Sequence, residues 1–393
     1  METVFLQQSA DALMNNPRTF QTIIATALLV FVNSMPCQAS PRPDCKSQGS
    51  REELNHSMPA ASDEVLARAE HRAYVQEVAR ELLRGQRSPG DCPPTSDPRA
   101  CLLVARLLWF ESHAEAQDGQ PEETVRSLRV RAAALVRSGS ARAISDRQFL
   151  WAHAQDTFEG SGEGLDFGIQ SAQLRASAIA ELRRREPDNL QVWLLGRHDE
   201  AWTKERLSAA AASQRSDSPV WEFIRTDLKL LRDAGVPDPP IPLVGNELGA
   251  LDAKHVLLFG IHLATAQPGL YSLSRACSVE VGHAHAETAE HCLRIAKVLV
   301  ERADSMLDLG FGSALMSRLA TRPEDRERAA DARHLSRYLS ETYLESQMAC
   351  GGLAAHLRRM RVAEASELSA LREGLVEQGL PQEPPEAWRV HSD

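Results

Sequence analysis

Ser62-Asp-Glu-Val-Leu-Ala-Arg-Ala-Glu-His-Arg-Ala-Tyr-Val-Gln-Glu-Val-Ala-Arg-Glu-Leu82 is the stretch that decides the fold class. Ser62 offers an N-cap, and Glu64 stands in the first turn, where the helix dipole favours a negative charge. Val65, Ala69, Ala73, Val75, Val78 and Leu82 then recur at helical spacing until Gly85. The same grammar continues outward. Asp97-Pro98 opens a second helix that runs through Trp109, and Pro121-Glu-Glu opens a third that ends at Ser138-Gly139. Further helices are expected over 145–157, 168–185, 190–214 and 219–234. Others are expected over 248–266, 271–276, 284–303, 305–319, 324 to about 361, and 364–378. Gly351-Gly352 should break or bend the longest of these. No run of alternating β-branched residues bounded by turns is present, so no sheet is expected.

Trp109, Trp151 and Trp193 are each 42 residues apart, in the apolar runs LLWF, FLWA and VWLL. An alanine-rich helix comes after each of them: Leu128–Val136, Leu174–Leu182 and Leu207–Ala212. The pattern reads as helix-turn-helix units, bulky on the first helix and small on the second, so that paired helices approach closely. The expected fold is all-α and disulfide-stapled: a helix-hairpin, repeat-like array, or an irregular helical bundle in which the tryptophan spacing is coincidental.

Glu186-Pro-Asp-Asn-Leu-Gln-Val-Trp193, with Leu207-Ser-Ala-Ala-Ala-Ala212 after it, resembles one tetratricopeptide unit. Its period departs from the family's, 42 against about 34, and the small-residue ladder is incomplete. More widely, the chain resembles uncharacterised exported helical proteins of Gram-negative bacteria. The features that carry this are the centre, the cysteines on either side of it, and the ending Leu371-Arg-Glu-Gly-Leu through Gly379-Leu-Pro to Pro384-Pro-Glu-Ala-Trp388. The resemblance implies a scaffold or interaction role with an unidentified protein or peptide partner, and it brings no catalytic residues.

The start of the chain bears on compartment. Phe20 to Val32 is apolar, about as long as a secretory h-region and shorter than the ~20 residues of a spanning helix. Cys37 and Ala39 suit positions −3 and −1 of a cut before Ser40, and Arg18 precedes the run. Glu2 and Asp11 fit a basic leader poorly, and Met14 would begin a cleaner one. A lipoprotein is disfavoured because Pro36, not a small residue, precedes Cys37. The expectation is a periplasmic or secreted protein. Contact with a membrane is expected only if the leader is kept as an anchor.

The organisation expected from these readings is a signal peptide (1–39), a polar leading segment (40–61), a repeat-like region (62–235), a proline-rich linker (236–247), a C-terminal helical region (248–379) and an extended tail (380–393). In the linker, four prolines in six residues forbid helix. It separates two lobes or merely joins two helices. The net charge is −10 with Lys and Arg scattered among Asp and Glu, which argues against nucleic acid, since that needs a basic stripe. No cofactor-binding motif is present.

A cut after Ala39 removes Cys37 and leaves six cysteines, which allow fifteen pairings. Short spacing favours Cys92–Cys101 and Cys277–Cys292 as local bridges, leaving Cys45–Cys350 by elimination. No Cys-x-x-Cys occurs, so a thioredoxin-like site is not expected.

The densest polar cluster is Gly282-His-Ala-His-Ala-Glu-Thr-Ala-Glu-His-Cys292. His283, His285 and His291, with Glu287, are weak candidate ligands for zinc or copper. The spacing is poor, because His-x-His on a helix points its rings apart, and solvated histidines at a helix N-terminus are the simpler reading. His255 and His262, seven apart, share a helix face and read as core-edge residues. Gly160-Ser-Gly-Glu-Gly164 reads as a turn, because no strand precedes it. The expected function is that of an exported, non-catalytic helical scaffold or interaction protein. The alternative is an exported hydrolase or lyase with an acid/histidine site outside the known motifs.

Overall fold

The computed structural model describes residues 61–86, 88, 90–117, 119–155, 168–196, 201–239, 250–265, 269–278, 286–348, 352–362, 366–386 and 388. Among these there are fifteen helices and no strand, so the fold is all-α. In chain order they are α1 (Ala61–Leu82), α2 (Pro98–Gln117), α3 (Glu122–Ser140), α4 (Arg147–Ala154), α5 (Gly168–Arg185), α6 (Leu190–Leu194), α7 (Lys204–Ala211) and α8 (Val220–Asp233). They continue as α9 (Ala250–Thr265), α10 (Leu270–Ala276), α11 (Ala286–Glu301), α12 (Met306–Leu319), α13 (Pro323–Met348), α14 (Gly352–Met360) and α15 (Glu367–Glu377).

The helix α2 is the centre. Cys101, Leu102, Leu103, Val104, Ala105, Leu107 and Leu108 are all buried, and a helix apolar on every face belongs inside. Around it pack α1, α3, α4, α8 and α9. The face that α1 presents is made by Tyr74 with Val75, Val78 with Ala79, and Leu82 with Leu83. Ala73, expected on that face, is exposed, and the larger Tyr74 beside it is buried instead.

Trp109, Trp151 and Trp193 stand on α2, α4 and α6, and each of these helices packs on the next one, α3, α5 and α7. The pairs are not alike. The tryptophan-bearing helices are 20, 8 and 5 residues long. Trp151 is buried, whereas Trp109 and Trp193 are half-buried. Arg129, on the paired helix, lies over Trp109 at 5.4 Å, but the cation over Trp193 is Arg183 of the preceding pair, at 4.9 Å. The arrangement is one of irregular helix pairs.

The helix expected over 190–214 is two helices. Asn189 caps α6 by accepting the Gln191 N–H, and the chain turns extended at Leu195. Arg206 donates to the carbonyls of Trp193 and Leu195, and Arg183 to those of Val192 and Leu195. These guanidinium groups satisfy the carbonyls that a helix end leaves open. Thr203 then caps α7.

The proline-rich stretch does not part the core. One apolar cluster holds Leu102, Leu135, Ile224 and Val236 together with Leu258, Ile261 and Met360. A second joins Leu190, Leu194 and Leu207 to Leu273, Ile295, Leu299 and Leu315. Lys254 of α9 donates to the Val236 carbonyl at 2.6 Å and pairs with Asp238 at 3.1 Å, tying the two sides of the stretch.

Two disulfides staple the helices: Cys92–Cys101 and Cys277–Cys292, each with a Cα separation of 5.7 Å. By chain-entropy arithmetic each contributes about 3 kcal/mol. Arg142 braces the first bridge, donating to the carbonyls of Pro93, Pro94 and Ser96. Cys45 and Cys350 lie outside the described residues, as do Cys37 and the leader. Among the described residues no helix is long and apolar enough to cross a membrane.

Gly312 sets the closest approach of α12 to α11. A Cβ there would stand 2.6 Å from Leu299 Cβ and 3.1 Å from the Leu299 carbonyl carbon and the Val300 nitrogen. Gly312→Ala should therefore destabilise the protein by about 1–3 kcal/mol, even though alanine is the better helix former. Denaturant melts of the two proteins check this, and equal midpoints would contradict the tight crossing.

Candidate functional site

Three ionisable side chains meet inside the core where α2, α8 and α9 touch. Arg106 is the one charged residue in Cys101-Leu-Leu-Val-Ala-Arg-Leu-Leu-Trp-Phe110, so the burial of α2 carries it inward. Asp227 lies three and four residues after Ile224 and Phe223 and one before Leu228, on the apolar stripe of α8. His262 comes directly after Ile261, four residues after Leu258, on the buried side of α9. His262 Nε2 lies 2.8 Å from Asp227 Oδ2, and Arg106 Nη1 lies 3.6 Å from the same oxygen. The side chains of Arg106, Asp227 and His262 are 3%, 0% and 2% exposed. Phe223 lines the cluster, with its ring centre 5.8 Å from the Arg106 guanidinium and 6.2 Å from the His262 ring.

Burial, and then the positive charge of Arg106, hold the His262 imidazole below its ordinary pKa. The neutral ring, with its Nε2–H donating to Asp227, leaves one cation against one anion in the cluster. That balance lets the charges sit in a low-dielectric interior. An Asp–His pair at 2.8 Å is also the geometry of a carboxylate orienting a general base, though here both groups are closed off from solvent.

His255, two turns earlier on α9, is buried against α14, which carries the buried His356. Both imidazoles are pushed down to about 3, by burial first, then by Arg361 for His255 and by Arg359 for His356. His255 and His262 therefore share a helix and lie deeper than core-edge residues. His356 carries little signal in the sequence, where Leu353-Ala-Ala-His-Leu357 shows only a polar residue in an apolar turn.

A second buried polar group forms where α12 and α15 begin. Asp308 is 2% exposed, and its Oδ2 accepts from Gln191 Nε2 at 2.9 Å and from Ser216 Oγ at 3.3 Å. Glu367 accepts the Met306 N–H at 3.1 Å, and Asp304 accepts the Ser218 N–H at 3.2 Å. Burial raises Asp308 and Glu367 to about 7. Asp304 rises to about 6, by burial and then the charge of Asp217, with Arg225 as the opposing cation. These acids, Gln191 and Ser216 fasten α6, the segment 214–218 and α15 onto α12.

Of the candidate ligands at 283–291, the described residues include Glu287 and His291. His283 and His285 lie outside the described residues. His291 is half-buried on α11 beside Cys292, whose sulfur is in the bridge and closed to metal. Glu287 pairs with Lys204 at 2.7 Å. Among the described residues no group of three His, Cys, Asp or Glu is arranged to hold a metal. No protein-family model, no curated protein and no solved structure matches this chain.

Proposed function

We propose that the chain is an exported helical interaction protein without catalysis of its own, working in the periplasm or outside the cell and released from a leader that ends at Ala39. The observation that carries this is the pair of buried bridges, Cys92–Cys101 and Cys277–Cys292. Such bridges persist in oxidising, non-cytoplasmic surroundings and are reduced in the cytosol. The helix pairs support the interaction role, since stacked pairs present extended surfaces to peptides and proteins. The likeness to exported helical proteins of Gram-negative bacteria belongs to the same reading.

The test is fractionation of the full chain expressed in a Gram-negative host. The mature protein should begin at Ser40, and Cys92, Cys101, Cys277 and Cys292 should resist alkylation until reduced. Cytoplasmic protein with its leader intact and these four thiols free would refute the reading.

One observation favours the alternative, an exported hydrolase or lyase: the Asp227–His262 pair. For that pair to act, α8 would have to part from α9 and admit substrate. Turnover of a panel of ester and glycan substrates that His262→Asn abolishes, with the fold intact, would move the protein to this reading.

A further inference from the structure

The chain leaves α15 at Gly379, which takes the left-handed conformation (φ +71°) and whose successor Leu380 donates back to the Leu375 carbonyl. The segment Pro381-Gln-Glu-Pro-Pro-Glu-Ala-Trp388 comes next, and its prolines exclude helix and favour the polyproline conformation. It runs back over α13 and is fastened at its two ends. The Tyr338 hydroxyl donates to the Pro381 carbonyl at 2.7 Å. Trp388 sets its ring edge-on to His334 and Tyr338, one helical turn apart on α13, with ring centres at 4.8 and 5.4 Å. Between these anchors Gln382, Glu383, Pro385 and Glu386 are exposed, and Arg372 reaches Glu383 at 3.4 Å. Beneath lies an apolar floor of Leu335, Leu339, Leu368, Leu371 and Leu375.

These are the parts of a proline-peptide receptor: an aromatic ridge, a hydroxyl aimed at a proline carbonyl, and an apolar floor under one large anchor. An extended proline-rich ligand loses little conformational entropy on docking, so two anchors suffice to hold it. We propose that the His334–Tyr338 ridge of α13 binds proline-rich segments ending in tryptophan. In this proposal the chain's own tail is the resident occupant and keeps the ridge covered until a partner's segment of the same chemistry displaces it. This rests on the interaction reading above and names its ligand class. Fractionation tests export and peptide binding tests the ridge, so either can fail without the other.

The probe is a fluorescently labelled peptide of residues 379–393, titrated into the full-length protein. Wild-type protein should bind it weakly, because the tethered tail competes at high effective concentration. Trp388→Ala should bind at least about tenfold more tightly, and adding His334→Ala and Tyr338→Ala to that variant should remove binding. A folded Trp388→Ala protein that does not bind the peptide would overturn the proposal. So would a wild-type dimer that Trp388→Ala dissolves, since the tail would then lie on a second copy. Tyr338→Phe, which keeps the ring, supplies a second measurement. Amide exchange over 381–388 should quicken several-fold while α12 is unchanged, and unchanged exchange would count against the proposal.

Discussion

Asp227→Ala is expected to lower the stability of the fold by about 3–5 kcal/mol, the range found when one partner of a buried ion pair is removed. The buried Arg106 guanidinium would be left in the middle of α2 facing Phe223, with no other anion paired to it among the described residues. His262 would lose its acceptor as well. The loss should be mostly a penalty for the stranded charge and not the worth of the pair. Replacing the pair together, Arg106→Met with Asp227→Leu, should therefore restore much of the stability. Denaturant melts of the two single variants and the double variant form a cycle whose coupling isolates the pair. An Asp227→Ala cost below about 1 kcal/mol, or a double variant as weak as the worse single, would contradict a closed charge cluster.

That cluster is half-legible in the sequence. A lone arginine inside Cys101–Phe110 and an aspartate on the apolar stripe of α8 both mark buried charges, because helical periodicity turns position into direction. Which charge meets which depends on how α2, α8 and α9 cross, and no local pattern carries that. His262 reads from the sequence as a core-edge residue because its spacing from His255 fixes a shared face but not the depth of that face.

The same division runs through the fold. Asp146, Thr203 and Ser305 accept N–H groups of their own first turns, so these helix starts are written locally. The stop after Leu194 is written elsewhere, in the guanidinium groups of Arg183 and Arg206 that reach the last carbonyls of α6 from α5 and α7. An apolar run before the break, Leu190–Leu195, and an alanine-rich run after it, Leu207–Ala212, make 190–214 look continuous, since propensity does not register a cap delivered from another helix. The acidic junction is hidden for a related reason. Asp308 and Glu367 look like ordinary first-turn acids and Asp304 like a polar residue just before a cap; the full burial of Asp308 and the partial burial of the other two arise only when α15 and the segment 214–218 close over α12.

Those acids give the second large effect: Asp308→Asn should stabilise the protein increasingly as pH rises. In the unfolded chain Asp308 titrates near 3.8, whereas in the fold burial holds it at about 7. Between those values the unfolded state has lost the proton that the folded state keeps, so stability falls with rising pH and the loss is complete above about 7. Three pKa units correspond to about 4 kcal/mol. Glu367 and Asp304 add losses of the same sign over similar windows. The buried His255 and His356 act in reverse, because their folded values of about 3 lie below the ordinary 6.5 and stability falls as pH drops through that interval. The two sets largely offset one another between about pH 4 and 6.5, so the wild-type profile alone is a poor reporter of either. The difference between Asp308→Asn and wild type removes the histidines from the comparison. It should grow by about 4 kcal/mol from pH 4 to pH 8, because asparagine still accepts from Gln191 and Ser216 but carries no proton to lose. A difference that stays flat across that range would mean that Asp308 ionises in the fold as it does in water, and that the junction of α6, α12 and α15 is open to solvent.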